Sequence, residues 1–340
     1  LDKRVGSGPL LGTVRGQVPA VETLRRALAA DHVHHAYLFE GPEGVGKELA
    51  AFGLAQALVC EARPPGTADA CGTCRACVRA VPRGEGGRPA HPDVTVIARG
   101  LYDPVTIGRR TPETQDISID QIRTLVLARS AFAPTEGKAK VFLVRRAEEL
   151  SLSAANALLK TLEEPGSRTH FVLLSSVADS LMPTIRSRVQ RVRFGPLGEA
   201  LVTSLLVERG VDGAQAAALA RLSGGSMATA LAFGDPEATA QREAAVDRAL
   251  EALASTDLGL SLEVAEEAKK IGKEGLVPVL EALAGALATR AREGARTAAS
   301  SRKTETAAKR YALVLETLRQ LDANASVQLA VESMFIRMRG

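Results

Sequence analysis

Four cysteines, Cys60, Cys71, Cys74 and Cys77, stand within one short segment, the last three in a CGTCRAC core of two CxxC steps. Four thiolates at this spacing close a tetrahedral chelate without strain and suit Zn2+, and because they leave no open coordination position the ion would be structural. The spacing also loosely accommodates an iron–sulfur cluster. A disulfide framework does not suit a chain of this size in a reducing compartment. A second constellation lies just upstream, where Gly41-Pro-Glu-Gly44-Val-Gly46-Lys47-Glu48 follows the P-loop spacing up to its last position. Between a strand and a helix, such glycines aim backbone N–H groups at a phosphate and place Lys47 against the β- and γ-phosphates. The last position calls for a Ser or Thr hydroxyl to bind Mg2+, and here it is Glu48. The loop therefore reads as one retained for its fold, with tight ATP binding as the alternative.

A hydrolytic P-loop site also needs an acidic residue at the end of the third strand to hold the metal, with a neighbouring Glu to polarise water. The apolar run KVFLV, 140–144, is followed instead by Arg145 and Arg146. Two guanidinium groups in place of two carboxylates change the local charge by about four units where a divalent cation would sit, so the chain is expected not to hydrolyse ATP. Glu148 and Glu149 fall on the loop beyond the strand, out of register with that position.

The elements that must position these residues are legible in the hydrophobic pattern. AYLFEG, 36–41, reads as a buried strand breaking into the glycine loop, and 45–59 as a helix. PDVTVIA at 92–98, KVFLV and HFVLLS at 170–175 are three more strands. Helical spacing covers 118–129 and 153–164. Strands alternating with helices imply a mainly parallel sheet in an α/β layer. From Pro196 onward the strand signals stop and Ala/Leu-rich helical segments follow, punctuated at Gly224-Gly225 and at the polar stretch 293–306. The segment 291–309, alanine-rich and low in Pro and Gly, reads as an exposed helical connection or a linker. Lys269, Lys270 and Lys273 read as a solvated helical face.

The length suits two or three domains. No apolar run approaches the ~18 residues of a membrane-spanning helix, and residues 1–11 lack the apolar stretch of a secretion signal. A soluble cytoplasmic protein with no membrane contact is expected. Aromatics are 3% and the formal net charge is +4. That argues against base stacking as the main binding mode and permits nucleic-acid contact without implying it.

Taken in order, the P-loop and its helix, the four-cysteine insert ending CGxCxxC, His91-Pro92-Asp93, the IxxDQIR-like stretch 117–123, AANALLKTLEEP at 154–165 and PTIRSR at 183–188 resemble the bacterial DNA polymerase III clamp-loader subunits. The resemblance covers about residues 14–234, and the C-terminal helices are compatible with it. It implies an AAA+ P-loop module with a parallel sheet and a zinc-binding insert at 60–77, over residues 1–196. A small helical lid at 197–236 and an all-α collar that mediates oligomerisation at 237–340 would follow. The family opens a ring-shaped sliding clamp and closes it around primed DNA. One kind of subunit, gamma/tau, hydrolyses ATP; the other, delta-prime, does not. The motor pattern has Ser/Thr at position 48, Asp-Glu at 145 and 146, and usually an arginine at position 228, which is Ala here. These departures favour the delta-prime branch, a rigid stator.

In the family's Ser-Arg-Cys motif, present here as Ser187-Arg188-Val189, the arginine reaches a neighbouring subunit's γ-phosphate. Arg188 is thereby marked as an arginine finger acting in trans. The bland reading is a solvated charge, since Arg186, Arg188, Arg191 and Arg193 alternate as on the exposed side of a strand. Ser175 and Ser176 occupy the sensor-1 region and, without a metal site, read as structural. The implied partners are the gamma/tau and delta subunits, with the sliding clamp and primer-template DNA contacted through the complex. Competing functions are an active P-loop ATPase, either a gamma/tau-type motor or a nucleotide kinase, and a stand-alone zinc-dependent DNA-binding protein.

Overall fold

The computed structural model describes residues 10–82, 87–108, 116–255, 258–296, 301–322 and 325–339. Residues 1–9 of the N-terminal segment and 297–300 of the expected connection lie outside these. The chain forms two compact units, one ending at Leu231 and one beginning at Ala232.

In the first unit the elements run α1 (Val18–Ala29), β1 (Ala36–Glu40), α2 (Lys47–Val59), α3 (Arg75–Arg79), β2 (Val94–Ile97), α4 (residues 119–130), β3 (Lys140–Val144), α5 (Leu152–Glu163), β4 (Thr169–Ser175), α6 (Pro183–Arg186) and β5 (Gln190–Arg193). Three helices follow: α7 (Glu199–Val207), α8 (Gly213–Leu222) and α9 (Met227–Gly234). The five strands form one sheet in the order β2-β3-β4-β1-β5, every pair parallel. β1, β2 and β3 are buried along their whole length, as their near-continuous apolar runs require of a parallel sheet covered on both faces. The edge strand β5 is different. QRVR buries only Val192, so it carries little apolar signal, and its charges suit an edge that must not pair further. On one side of the sheet Leu38, Phe142, Phe171 and Leu173 pack with Ile122 and Val126 of α4 and Leu158 and Leu162 of α5. Phe142 and Phe171 stack at 5.2 Å.

Parallel strands put all their C-terminal ends on one edge. There the P-loop follows β1, Arg145 and Arg146 follow β3, and Ser175 closes β4 opposite Glu40. At the other edge lie His34 and His35 before β1 and Gln190 at the start of β5, which pairs with Tyr37. These two edges organise the chemistry of the unit.

The second unit contains α10 (Pro236–Ala254), α11 (Leu258–Arg296), α12 (Ser301–Asp322) and α13 (Val327–Arg339). Leu280, Leu283 and Leu287 of α11, Val314 and Leu321 of α12 and Val331 and Phe335 of α13 form its core. α11 is broken at Gly272, whose φ of 73° an ordinary residue adopts only at a cost. Lys269 and Lys270 are exposed on it and Lys273 is half-buried. Among the described residues no helix is long and apolar enough to cross a membrane.

Candidate functional site

The P-loop residues come together as their spacing implies. Gly41, Gly44 and Gly46 all have positive φ, at 143°, 70° and 103°, so the loop curls around the N-terminus of α2. Lys47, the first residue of that helix, is buried and donates through Nζ to the carbonyl oxygens of Gly41 and Pro42 at 2.5 and 2.6 Å. Two of its three hydrogens are thus placed, and one remains for a phosphate. Burial lowers the Lys47 pKa, and the carboxylates of Glu43 and Glu148 work against that fall. Above the loop sits the start of α9: Met227 N donates to Gly44 O at 3.3 Å. A Cβ at Gly44 would overlap the Ala228 backbone nitrogen, so only glycine permits this approach.

The metal corner is filled by protein. Arg145 Nη2 meets Glu48 Oε1 at 2.5 Å, and the guanidinium lies 6.0 Å from the Phe52 ring centre and donates to Gly87 O. Arg146, with φ 46°, pairs with Glu43 at 3.1 Å and Glu149 at 3.3 Å. The two departures from the P-loop pattern, 97 residues apart, are therefore a single feature: a carboxylate at the hydroxyl position neutralised by a guanidinium that follows β3. A divalent cation brought there would meet that guanidinium.

Glu148 is better placed than its position in the sequence suggests. It lies in a 3-10 turn over 147–149 that folds back, so that Oε1 accepts from Ser176 N at 3.2 Å and Ser176 Oγ at 2.8 Å, within electrostatic range of Lys47. Ser176 thus holds an acidic side chain, while Ser175 Oγ accepts from Val177 N.

The four cysteine sulfurs lie within 4.8 Å of one another and all are free thiols. Cys71 and Cys77 Sγ are 3.8 Å apart, about the edge of a tetrahedron with ~2.3 Å metal–sulfur bonds. Cys60 ends α2, and Cys74 caps α3 by accepting from Cys77 N at 3.4 Å. Backbone N–H groups of Cys71 and Cys74 point at the sulfurs of Cys60 and Cys71. Burial raises the pKa of the Cys60 and Cys77 thiols. Burial opposes ionisation of Cys71 too, but the N–H groups of Cys74 and Thr73 outweigh it and bring its pKa to about 6. Four thiols within reach of one point, two buried and two half-buried, with N–H donors supporting the sulfurs, make a set able to hold a metal ion, whose charge would ionise them all.

Arg188 lies at the opposite edge of the sheet. It follows α6 and faces a cavity of ≈ 380 Å³ lined by His34, His35, Glu163, Ser187 and Gln190, among others. Its Nε donates to Glu163 Oε1 at 2.7 Å, Nη2 pairs with the same oxygen, and Nη1 donates to Thr184 O at 2.8 Å and Ser187 Oγ at 3.2 Å. The other three arginines behave differently. Arg191 and Arg193 both pair with the buried Glu40, at 2.6 and 2.8 Å, and Arg186 pairs with Asp179. The four are not one exposed strand face, since only Arg191 and Arg193 belong to β5.

Residues 16–198, just over half of the chain, match the family model described as DNA polymerase III, delta subunit. The chain belongs to the bacterial clamp-loader family of AAA+ proteins. It is 32% identical over 255 residues to a DNA polymerase III subunit gamma/tau of Mycobacterium bovis, covering 73% of this chain and 40% of that one. It is 37% identical over 204 residues to the delta' subunit of Pseudomonas aeruginosa, covering 59% of this chain and 56% of that one. The chain thus spans between two fifths and three fifths of the length of these relatives. A DNA polymerase III gamma-subunit-related protein of Thermotoga maritima superposes with a TM-score of 0.41 at 20% identity, covering 94% of this chain and 98% of the other.

Two clamp-loader motifs prove to have folding roles here. In the stretch 117–123, Ser118 and Gln121 form a capping box that starts α4, and Gln121 also donates to Ala98 O. In His91-Pro92-Asp93, the Asp93 carboxylate is fully buried and accepts N–H groups from Thr135, Glu136 and Gly137 at 2.6 to 2.8 Å. Burial works against its charge, but the three N–H donors outweigh it and hold the pKa below the ordinary value. One bridging residue gave no signal in the sequence: Gln17, buried before α1, bridges Val45 O in the P-loop and both the N–H and C=O of Gly195 after β5.

With its folded pKa depressed, Asp93 contributes stability that is fully present above the unfolded value of about 3.9 and is lost as pH falls through the folded value. Asp93→Asn is expected to destabilise the chain by about 3 kcal/mol at neutral pH, since the amide supplies one weaker acceptor and an NH2 facing donors. The gap to wild type should narrow below pH 4. Urea denaturation at pH 7 and pH 3 checks this, and an equal loss at both values would contradict it.

Proposed function

We propose that the chain is a delta-prime-type stator of a clamp loader, a subunit that hydrolyses no ATP itself and presents Arg188 to the nucleotide of a neighbouring gamma/tau subunit. The observation that carries this reading is the division of labour between the two sheet edges. At the C-terminal edge the Glu48–Arg145 pair takes the place of a metal. At the N-terminal edge Arg188 stands at an open cavity, separated from its own P-loop by the length of β1, roughly 16 Å at ~3.3 Å per residue. A guanidinium that far from the local P-loop makes chemical sense when it serves another chain. On this reading 197–236 acts as a lid, 237–340 as a collar joining the subunits, and the cysteine cluster holds a structural Zn2+. The gamma/tau and delta subunits would be its partners, with clamp and primed DNA reached through the complex.

The isolated chain should show no Mg2+-dependent ATP turnover above that of its Lys47→Ala variant, because the carboxylate at the hydroxyl position is paired with Arg145, and Arg145 and Arg146 follow β3 where the metal-binding acids would stand. Turnover that survives purification to homogeneity and disappears in Lys47→Ala would favour the gamma/tau-type alternative. Co-purification with the endogenous gamma/tau and delta subunits tests the assignment to the complex.

A further inference from the structure

Glu163 breaks a local rule. It is the last residue of α5, with Glu164 as the C-cap, so two carboxylates sit at the negative end of the helix, where each is unfavourable. Such a conflict calls for compensation nearby. For Glu163 the structure supplies it: Arg188 Nε and Nη2 both engage Glu163 Oε1. His35 Nε2 lies 3.0 Å from the carbonyl oxygen of Leu162, so the helix end is pinned from a second side. Among the described residues Glu164, also exposed, has no arginine partner of this kind.

We propose that Glu163 is a positioning residue for Arg188, fixing the guanidinium so that one edge faces outward for a polyphosphate on a neighbouring subunit. The inference rests on the trans role proposed above. The hydrogens can be counted. Of the five N–H groups of an arginine, Nε–H and one Nη2–H go to Glu163 and one Nη1–H goes to Thr184 O, at 2.8 Å. One hydrogen on Nη1 and one on Nη2 remain, the pair that a phosphate takes in a two-pronged contact. Only Ser187 Oγ, at 3.2 Å, competes for it, and a hydroxyl yields readily to an anion. An exposed ion pair contributes little to stability. The significance of this one is orientational, because it restricts in advance a long side chain rich in rotamers.

The test is a double-mutant cycle in the reconstituted complex with gamma/tau and delta, reading the rate of clamp loading for Glu163→Gln, Arg188→Ala and the double variant, with Glu164→Gln as the matched charge control. Glu163→Gln should load clamps about threefold to tenfold more slowly, in keeping with the cost of a misplaced catalytic group. Glu164→Gln should match wild type, and Glu163→Gln should add nothing in the Arg188→Ala background. If Glu163→Gln loads normally, or slows the Arg188→Ala complex as much as the wild-type one, Glu163 does not act through Arg188 and the inference fails while the trans role stands. If Arg188→Ala itself loads at the wild-type rate, the trans role falls and the inference with it.

Discussion

A complex reconstituted with the Arg188→Ala chain should assemble normally and yet load clamps slowly, with reduced ATP turnover stimulated by DNA and clamp. Folding should be unaffected, because Arg188 is half-exposed and its partners, Glu163, Thr184 O and Ser187, all lie at the surface. The loss at the one nucleotide site facing Arg188 should be large. A guanidinium supplied in trans neutralises charge that develops on the γ-phosphate in the transition state, and in other P-loop systems it is worth about 10³ to 10⁵ in rate. Total turnover should fall by less, since other motor sites keep their own arginines. Arg188→Lys should rescue poorly: a lysine brings a point charge but neither the planar fork nor the second hydrogen on an adjacent nitrogen. Wild-type loading by the Arg188→Ala complex, at matched assembly, would remove the basis for a trans role.

The sequence made the strand runs and the P-loop legible because each is local. AYLFEG, PDVTVIA, KVFLV and HFVLLS are continuous apolar runs, and a parallel sheet covered on both faces demands that pattern. Cys71, Cys74 and Cys77 are close in sequence, and Cys60 joins them simply by ending the preceding helix. What could not be read was pairing between elements. Glu48 and Arg145 each register as a defect of a motif, and only the fold turns two defects into one ion pair. Glu163 and Arg188, separated by 25 residues, are likewise joined by the crossing of α5 with the turn after α6. Glu148 lies on the loop beyond the strand, out of register with the metal-binding position, and only the 3-10 turn over 147–149 brings its carboxylate back to Ser176. Asp93 looked like part of a signature and is an anchor for three backbone N–H groups, a role that no periodicity encodes.

Removing metal from the cysteine cluster should unfold the insert while leaving the parallel sheet in place. The expected content is one zinc per chain, measured by elemental analysis of tag-free protein, since four thiols within 4.8 Å form a closed soft-ligand set. Structural zinc sites hold their ion with an apparent ~10–16 kcal/mol near neutral pH, more than a segment with so small a core can supply by itself. α3 has only five residues, and few polar contacts tie it to the body: the Gln56 amide donates to Cys77 O at 3.4 Å, Arg79 pairs with Glu136 at 2.6 Å, and the Arg79 carbonyl accepts from the N–H groups of Ala90 and His91. The sheet depends on other contacts: Phe142, Phe171 and Leu38 pack against α4 and α5. A chelator, or Cys71→Ser with Cys74→Ser, should therefore abolish hydrogen-exchange protection in 60–80 and make that segment the first site of proteolysis. Protection of β1, β3 and β4 should persist. Metal uptake should release protons, because Cys60 and Cys77 are held protonated by burial until a cation pairs with them. Iron with visible absorbance, or an insert equally protected with and without metal, would overturn the structural-zinc reading.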